Sequence, residues 1–410
     1  MWTWDQARRL GSGAVLASLA WWMTACGGND DLSAPEPPPA ERPADPGVEP
    51  SAGCSEGVLQ HGALYQVCFP ATWNGELVLY AHGYVAPHQA LAIPDDQIGG
   101  RPASGIATEL GYAYATTSYR ANGLVAADAV DDLVELVDTV ERRYRPDPVR
   151  TAIIGFSEGG LVATLAVERH PDRFDGALAG CGPIGDFQAQ LDHIGDFRVT
   201  FDYLFPDVLP GTAVEIPDYL RDRWDELYVP RIIVALATNL DAARELVAIT
   251  KAPVAGDDLR SIAETAVGLL WYNVFGTADA QQRLGGQPFD NSTREYSGSS
   301  DDTALNAGVA RFSADRAALI ALERFETSGT LDVPVVTLHT TGDPIVPFSQ
   351  QSLYTAKVSA AGKSARLNEI LVERHGHCTF QPFEILGAFN DLWDRIPDHP
   401  AALASALNLP

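Results

Sequence analysis

Residues 151–160 read T-A-I-I-G-F-S-E-G-G. A short apolar run, Ala152-Ile153-Ile154, enters a glycine-flanked turn around Ser157, and a helical pattern follows from Glu158 until Pro171 stops it. The expected local structure is a strand, a sharp turn and a helix, with a serine at the apex. So tight a turn leaves almost no room for flanking side chains, and Gly155 and Gly159 supply that lack of bulk. The helix behind Ser157 points free backbone N–H groups and a positive dipole end at the place where an oxyanion would form. In a chain this rich in glycine, G-x-S-x-G alone is a weak signal. The buried run before it and the helical run after it give it weight.

Working outward, residues 59–69 alternate apolar and polar like an edge strand, and 76–81 (E-L-V-L-Y-A) form a buried strand that breaks at His82-Gly83-Tyr84. Residues 112–117 give another strand. Val130, Leu133, Val134, Val137, Val140 and Tyr144 then recur at helical spacing. Asp128, Asp131 and Asp132 sit near that helix's start and Arg142, Arg143 and Arg145 at its end, as the helix dipole prefers. After the serine helix, 177–181 is the next strand. Strands alternating with helices predict a mostly parallel sheet covered on both faces, with its site outside the carboxyl ends of the strands. The alternation stops over residues 186–330, where helical patterns, prolines and aromatics dominate; this reads as a mainly helical cap inserted in a catalytic domain spanning 53–400. The core resumes at 333–339 and 367–373, and no internal repeat is visible.

Two later strand ends carry polar chemistry. One runs into T-G-D-P-I-V-P, which places Asp343 in a loop after a buried strand, rigidified by prolines and well set to orient an imidazole. The other runs into R-H-G-H-C-T-F, with His377 and, two residues earlier, the rival base His375. In this arrangement His377 takes the proton of Ser157 and Asp343 fixes the histidine's tautomer. The backbone N–H of Glu158 is one expected oxyanion donor.

Through G-F-S-E-G, G-D-P-I-V-P, G-H-C and the H-G-Y loop, over roughly residues 59–396, the chain resembles the α/β-hydrolase superfamily. Ser157, Asp343, His377 is the chain order that superfamily shows. The resemblance implies an α/β-hydrolase fold, a serine hydrolase working through an acyl-enzyme, and Tyr84 as the second oxyanion donor. The His-Cys pair is also similar to half of the tannase and feruloyl-esterase pattern. There a second cysteine precedes the serine, where this chain has Phe156; Cys181, one strand over, would serve the same tethering purpose. Candidate substrate contacts are His82, Gly83, Tyr119 and the cap's Trp271. The plain alternatives for these four are a chain turn, a loop and cap packing. Within enzymes, a carboxylic-ester hydrolase competes with a serine peptidase of the prolyl or aminopeptidase kind. Outside them, a non-catalytic binding protein on the same scaffold remains an alternative.

Composition limits the partners. A hydrophobic share of 46% in 410 residues can bury a large core, and a formal net charge of −26 excludes a nucleic-acid footprint. The substrate is expected to be a small-molecule or polymeric ester. No glycine-rich phosphate loop and no Cys/His zinc spacing appear, so no cofactor and no metal are expected. Residues 1–25 read as a signal peptide: Arg8-Arg9, an apolar stretch, then M-T-A-C-G. That end resembles a bacterial lipobox, which implies lipidation at Cys26 and a cell-envelope location, with plain cleavage and release as the alternative. Residues 26–52 are a proline-rich acidic tether. The four remaining cysteines allow three pairings; Cys54 and Cys68, flanking a hairpin, are the first expected pair, and Cys181 then pairs with Cys378.

Overall fold

A computed structural model describes residues 49–144 and 147–397. The signal segment 1–25, Cys26, the tether up to residue 48 and the chain beyond 397 lie outside them. Eight strands build one sheet: β1 (Gly53–Val58), β2 (Leu64–Phe69), β3 (Glu76–Ala81), β4 (Ala113–Thr117), β5 (Arg150–Phe156), β6 (Gly176–Gly180), β7 (Val335–Gly342) and β8 (Leu367–His375). Their order is β1-β2-β4-β3-β5-β6-β7-β8. Pairing is antiparallel only at β1–β2 and β2–β4; every other neighbour is parallel. The central strands are buried on both faces, as their unbroken apolar runs require.

The edge strand differs from the sequence expectation. Residues 59–63 turn, with Leu59 N–H bonded to Ala63 O at 2.8 Å and Gly62 at φ +89°. β2 is therefore an interior strand, and the edge is β1, whose G-C-S-E-G-V is a poor strand former and mostly exposed. Cys54 lies directly opposite Cys68 in that ladder, and the two are disulfide-bonded.

Helices α1 (Ala103–Glu109), α2 (Ala126–Arg143) and α3 (Glu158–Arg169) follow β3, β4 and β5. Buried residues of α2 and α3 form one apolar layer with Leu77, Leu79 and Ile153 of the sheet. Val78, Ile154, Leu178 and Val336 face the other layer, closed by Leu392 and Trp393 of the last helix, α9 (Pro382–Arg395). Helix α8 (Ser349–Ala360) joins β7 to β8.

Between β6 and β7 the described residues form helices and turns and no strand. The long ones are α4 (Phe187–Leu204), α5 (Val229–Thr238), α6 (Leu240–Thr250) and α7 (Leu259–Leu284). They share a core of their own around Phe197, Trp224, Leu246 and Leu269, and that core takes in Ile345 and Val346 from the loop after β7. Arg198, wholly buried, ties α4 to α7: it meets Asp202 at 2.8 Å, Asn273 Oδ1 at 3.1 Å and the Pro210 carbonyl at 3.1 Å. Among the described residues no helix is long and apolar enough to cross a membrane.

Candidate active site

β5 delivers Ser157 to the carboxyl end of the sheet in a conformation that L-residues avoid, φ +58° and ψ −126°. Its neighbours enforce the turn. A Cβ on Gly155 would sit 2.0 Å from the Gly159 carbonyl oxygen, and one on Gly159 would sit 2.0 Å from that of Ala81. The serine's own N–H is held by Gly180 O at 2.9 Å. The space demanded by the turn is thus backbone-to-backbone, and only glycine satisfies it.

Asp343 and His377 reach the same point from the ends of β7 and β8. His377 Nδ1 donates to Asp343 Oδ2 at 2.7 Å, which leaves Nε2 to accept from Ser157 Oγ at 2.8 Å. Asp343 is fully buried, and its other oxygen accepts from the N–H groups of Ile345 and Val346 at 2.9 and 3.0 Å. The loop that carries it is pinned through its carbonyls. His193 Nε2 donates to Pro344 O at 2.9 Å, Gln190 Nε2 to Ile345 O at 2.8 Å, and His339 Nε2 to Val346 O at 3.0 Å. His193 and Gln190 come from cap helix α4, His339 from β7 beneath. Burial pushes the pKa of His193 and of His339 down, so both stand as neutral donors.

The Cys181–Cys378 disulfide joins the residue after β6 to the residue after His377. Both cysteines have positive φ, 44° and 54°. The rival base His375 lies apart from the serine, its Nε2 bonded to the Pro253 carbonyl at 3.2 Å on the cap.

Glu158 opens α3 directly after the serine. Its N–H belongs to the first turn and has no intrahelical acceptor. Its side chain turns inward, accepting from Val125 N–H at 2.9 Å, and burial first, then the nearby Asp279 charge, pushes its pKa up to about 8. Asp279 of α7 in turn accepts from Leu124 N–H at 2.6 Å, and Arg283 donates to Asn122 O at 2.6 Å, so the cap grips the loop before α2.

A cavity of about 880 Å³, its mouth included, opens over Ser157 between the cap and the sheet end. Its wall is largely apolar: Leu124, Phe187, Ile194, Phe289, Ile345 and Val346, with Tyr84 and Tyr272 at the serine. The four expected substrate contacts fare differently. Gly83 packs against the serine turn, where a Cβ would sit a tight 3.2 Å from the Phe156 carbonyl oxygen and 3.3 Å from Ser157 Cβ. His82 and Tyr119 do not line the cavity. They are buried beneath it, rings stacked at 3.9 Å, with the Tyr119 hydroxyl on His82 O at 3.1 Å. A polar ring behind a packed turn is a support, and the sequence does not separate a support from a contact. Trp271 is also off the cavity wall; it packs edge-on against Tyr272 at 5.0 Å and stacks on Phe275 at 4.9 Å. Tyr272, one residue and about 100° around the helix, faces the serine instead. Its hydroxyl lies within reach of the Ser157 side chain. Tyr272, Gln190 and His193 are therefore site residues that the sequence reading missed. A Trp-Tyr pair on a cap helix was the available signal, without the helix phase needed to choose between them.

The profile of the prolyl oligopeptidase family matches residues 105–194, the part of the chain that contains β5, Ser157 and α3. No curated protein matches the chain. Among solved structures it is similar to the esterase Pf2001 of Pyrococcus furiosus, at 13% identity and a TM-score of 0.44 over 84% of this chain and 90% of that one. It is similar also to the acylaminoacyl peptidase of Pyrococcus horikoshii (11%, 0.43, over 85% of this chain and 42% of that one). A third is brefeldin A esterase, a bacterial homologue of human hormone-sensitive lipase (12%, 0.41, over 88% and 77%). The strand order, the two antiparallel pairings at one edge and the strained serine between β5 and α3 are those of the α/β-hydrolase fold, which this chain adopts.

Proposed function

We propose that the protein hydrolyses carboxylic esters, with Ser157 as nucleophile, His377 as general base and acid, and Asp343 orienting the imidazole. The observation that carries this is the unbroken hydrogen-bonded row from Asp343 Oδ2 through His377 to Ser157 Oγ, at 2.7 and 2.8 Å. The serine attacks the carbonyl carbon as His377 takes its proton; the carbonyl electron pair moves onto oxygen, to be met by N–H groups of Glu158 and the Tyr84 loop. Collapse expels the alcohol, which receives the proton from His377. Water then repeats the sequence on the acyl-enzyme.

An ester is favoured over a peptide by the wall of the cavity. Apart from Glu158, whose carboxyl is turned to Val125 N–H, no charged side chain lines it among the described residues, so nothing there matches the free amine an aminopeptidase holds, while the apolar wall suits an acyl chain. The matched family segment covers the strand, turn and helix that esterases and peptidases share, so it is compatible with both. The test is a pair of rates on the purified protein, with a p-nitrophenyl acyl ester and a prolyl p-nitroanilide. The ester is expected to turn over at least a hundredfold faster in kcat/KM; a faster amide reverses the assignment to a peptidase. We further propose export to the cell envelope by residues 1–25 with lipidation at Cys26, a placement that two disulfides suit.

A further inference from the structure

Two tyrosines border Ser157, and their hydroxyls are committed differently. That of Tyr84, from the loop after β3, donates to the Phe275 carbonyl of the cap at 3.3 Å. That of Tyr272, from cap helix α7, has no backbone partner of this kind among the described residues, and the residue lines the same cavity as Ser157, with its hydroxyl near the serine side chain. The Tyr272 ring is fixed from two sides, edge-on to Trp271 at 5.0 Å and tilted against Tyr84 at 6.1 Å. It is part of the cavity wall, so a substrate acyl carbon bonded to Ser157 Oγ would lie beside it.

We infer that Tyr272 is a catalytic residue supplied by the cap, whose hydroxyl donates a hydrogen bond to the carbonyl oxygen as that oxygen gains charge in the tetrahedral intermediates. This rests on the ester-hydrolase reading above. In the step, the Oγ–C bond forms, the carbonyl π pair goes to oxygen, and the proton from Oγ goes to His377. Tyr272 keeps its own proton and donates only the hydrogen bond. Burial, then the Asp343 and Glu158 charges, raises its pKa, which keeps it a donor across the working range. The ring is packed in place by Trp271 and Tyr84 before substrate arrives, so little reorganisation is needed as the charge develops. The consequence is an oxyanion site completed by the inserted cap as well as by the β3 loop and α3.

The test is Tyr272→Phe, which keeps the ring and its packing. Removing a donor of this kind is worth about 10²–10³ in kcat. The expected result is a loss of at least thirtyfold in kcat, with KM within threefold of the native value. The loss should be equal for p-nitrophenyl, phenyl and alkyl esters of one acid, because the donor serves the carbonyl oxygen and not the leaving group. Affinity for an alkyl boronic acid, which forms a tetrahedral adduct on the serine, should fall by a similar factor. Affinity for an unreactive ketone-free analogue should not change, a split that loss of packing would not produce. A kcat within threefold of native, a loss that grows with poorer leaving groups, or an unchanged boronate affinity overturns the inference. The native enzyme and Ser157→Ala run alongside: if the native protein turns over no ester, the reading of the site fails, not the role of Tyr272 alone.

Discussion

Holding Ser157 at φ +58° costs on the order of 1–3 kcal/mol for a residue with a Cβ. Three backbone relations sustain it: the bond to Gly180 O, and the close passages at Gly155 and Gly159. Glu158, next in the chain, imposes a second cost that depends on pH. Its folded pKa is raised, from an ordinary 4.5 to about 8, so the folded state holds the proton more tightly than the unfolded chain. The cost is absent below about pH 4.5, where both states hold the proton, and grows as pH rises toward 8. Glu158→Gln keeps an acceptor for Val125 N–H and removes the titration. Urea midpoints measured from pH 5 to pH 8 should fall for the native protein and fall less steeply for the variant. Equal slopes would show that Glu158 is not the group responsible.

At the scale of elements, β7 and β8 bring Asp343 and His377 to the serine, and α4 holds the Asp343 loop down from above. His193 sits in α4 beside the Pro344 carbonyl, buried and neutral. His193→Ala leaves that carbonyl without its donor, at about 1–3 kcal/mol in stability. We expect kcat to fall about tenfold with little change in KM, since the loop orients Asp343 and does not touch substrate. His193→Gln, which can still donate, should recover most of the rate; a larger effect on KM than on kcat would contradict a positioning role. Much of this layer was legible beforehand. β3 lay at 76–81 as expected, and the serine turn, the Asp343 loop and the G-H-C end announced themselves through glycine, proline and apolar runs. The edge was misjudged because G-C-S-E-G-V carries almost no strand propensity, and pairing with β2 overrides it. The pairs at Gln190, His193 and Pro344 were not legible, because contacts some 150 residues apart leave no periodic trace.

At the scale of the whole molecule, the cap is stitched to the catalytic end of the sheet by polar ties at several loops. His193 and Gln190 hold the Asp343 loop, Pro253 O binds His375, Phe275 O binds Tyr84, and Asp279 with Arg283 holds the loop before α2. The cap's own core extends down to Ile345 and Val346, so its packing and the position of Asp343 are one arrangement. The sequence showed that a helical insertion was there. It did not show which face of α7 meets the serine, because aromatics spaced along a helix reveal a packed stripe and not what the stripe packs on. Turnover requires Ser157 to be the activated hydroxyl of this assembly. The direct measurement is mass spectrometry of the folded protein after brief exposure to a fluorophosphonate. One adduct on the peptide carrying Ser157, formed at least a hundredfold more slowly in His377→Ala, is the predicted result. A folded protein that takes no label there, or that labels equally fast without the imidazole, would contradict it.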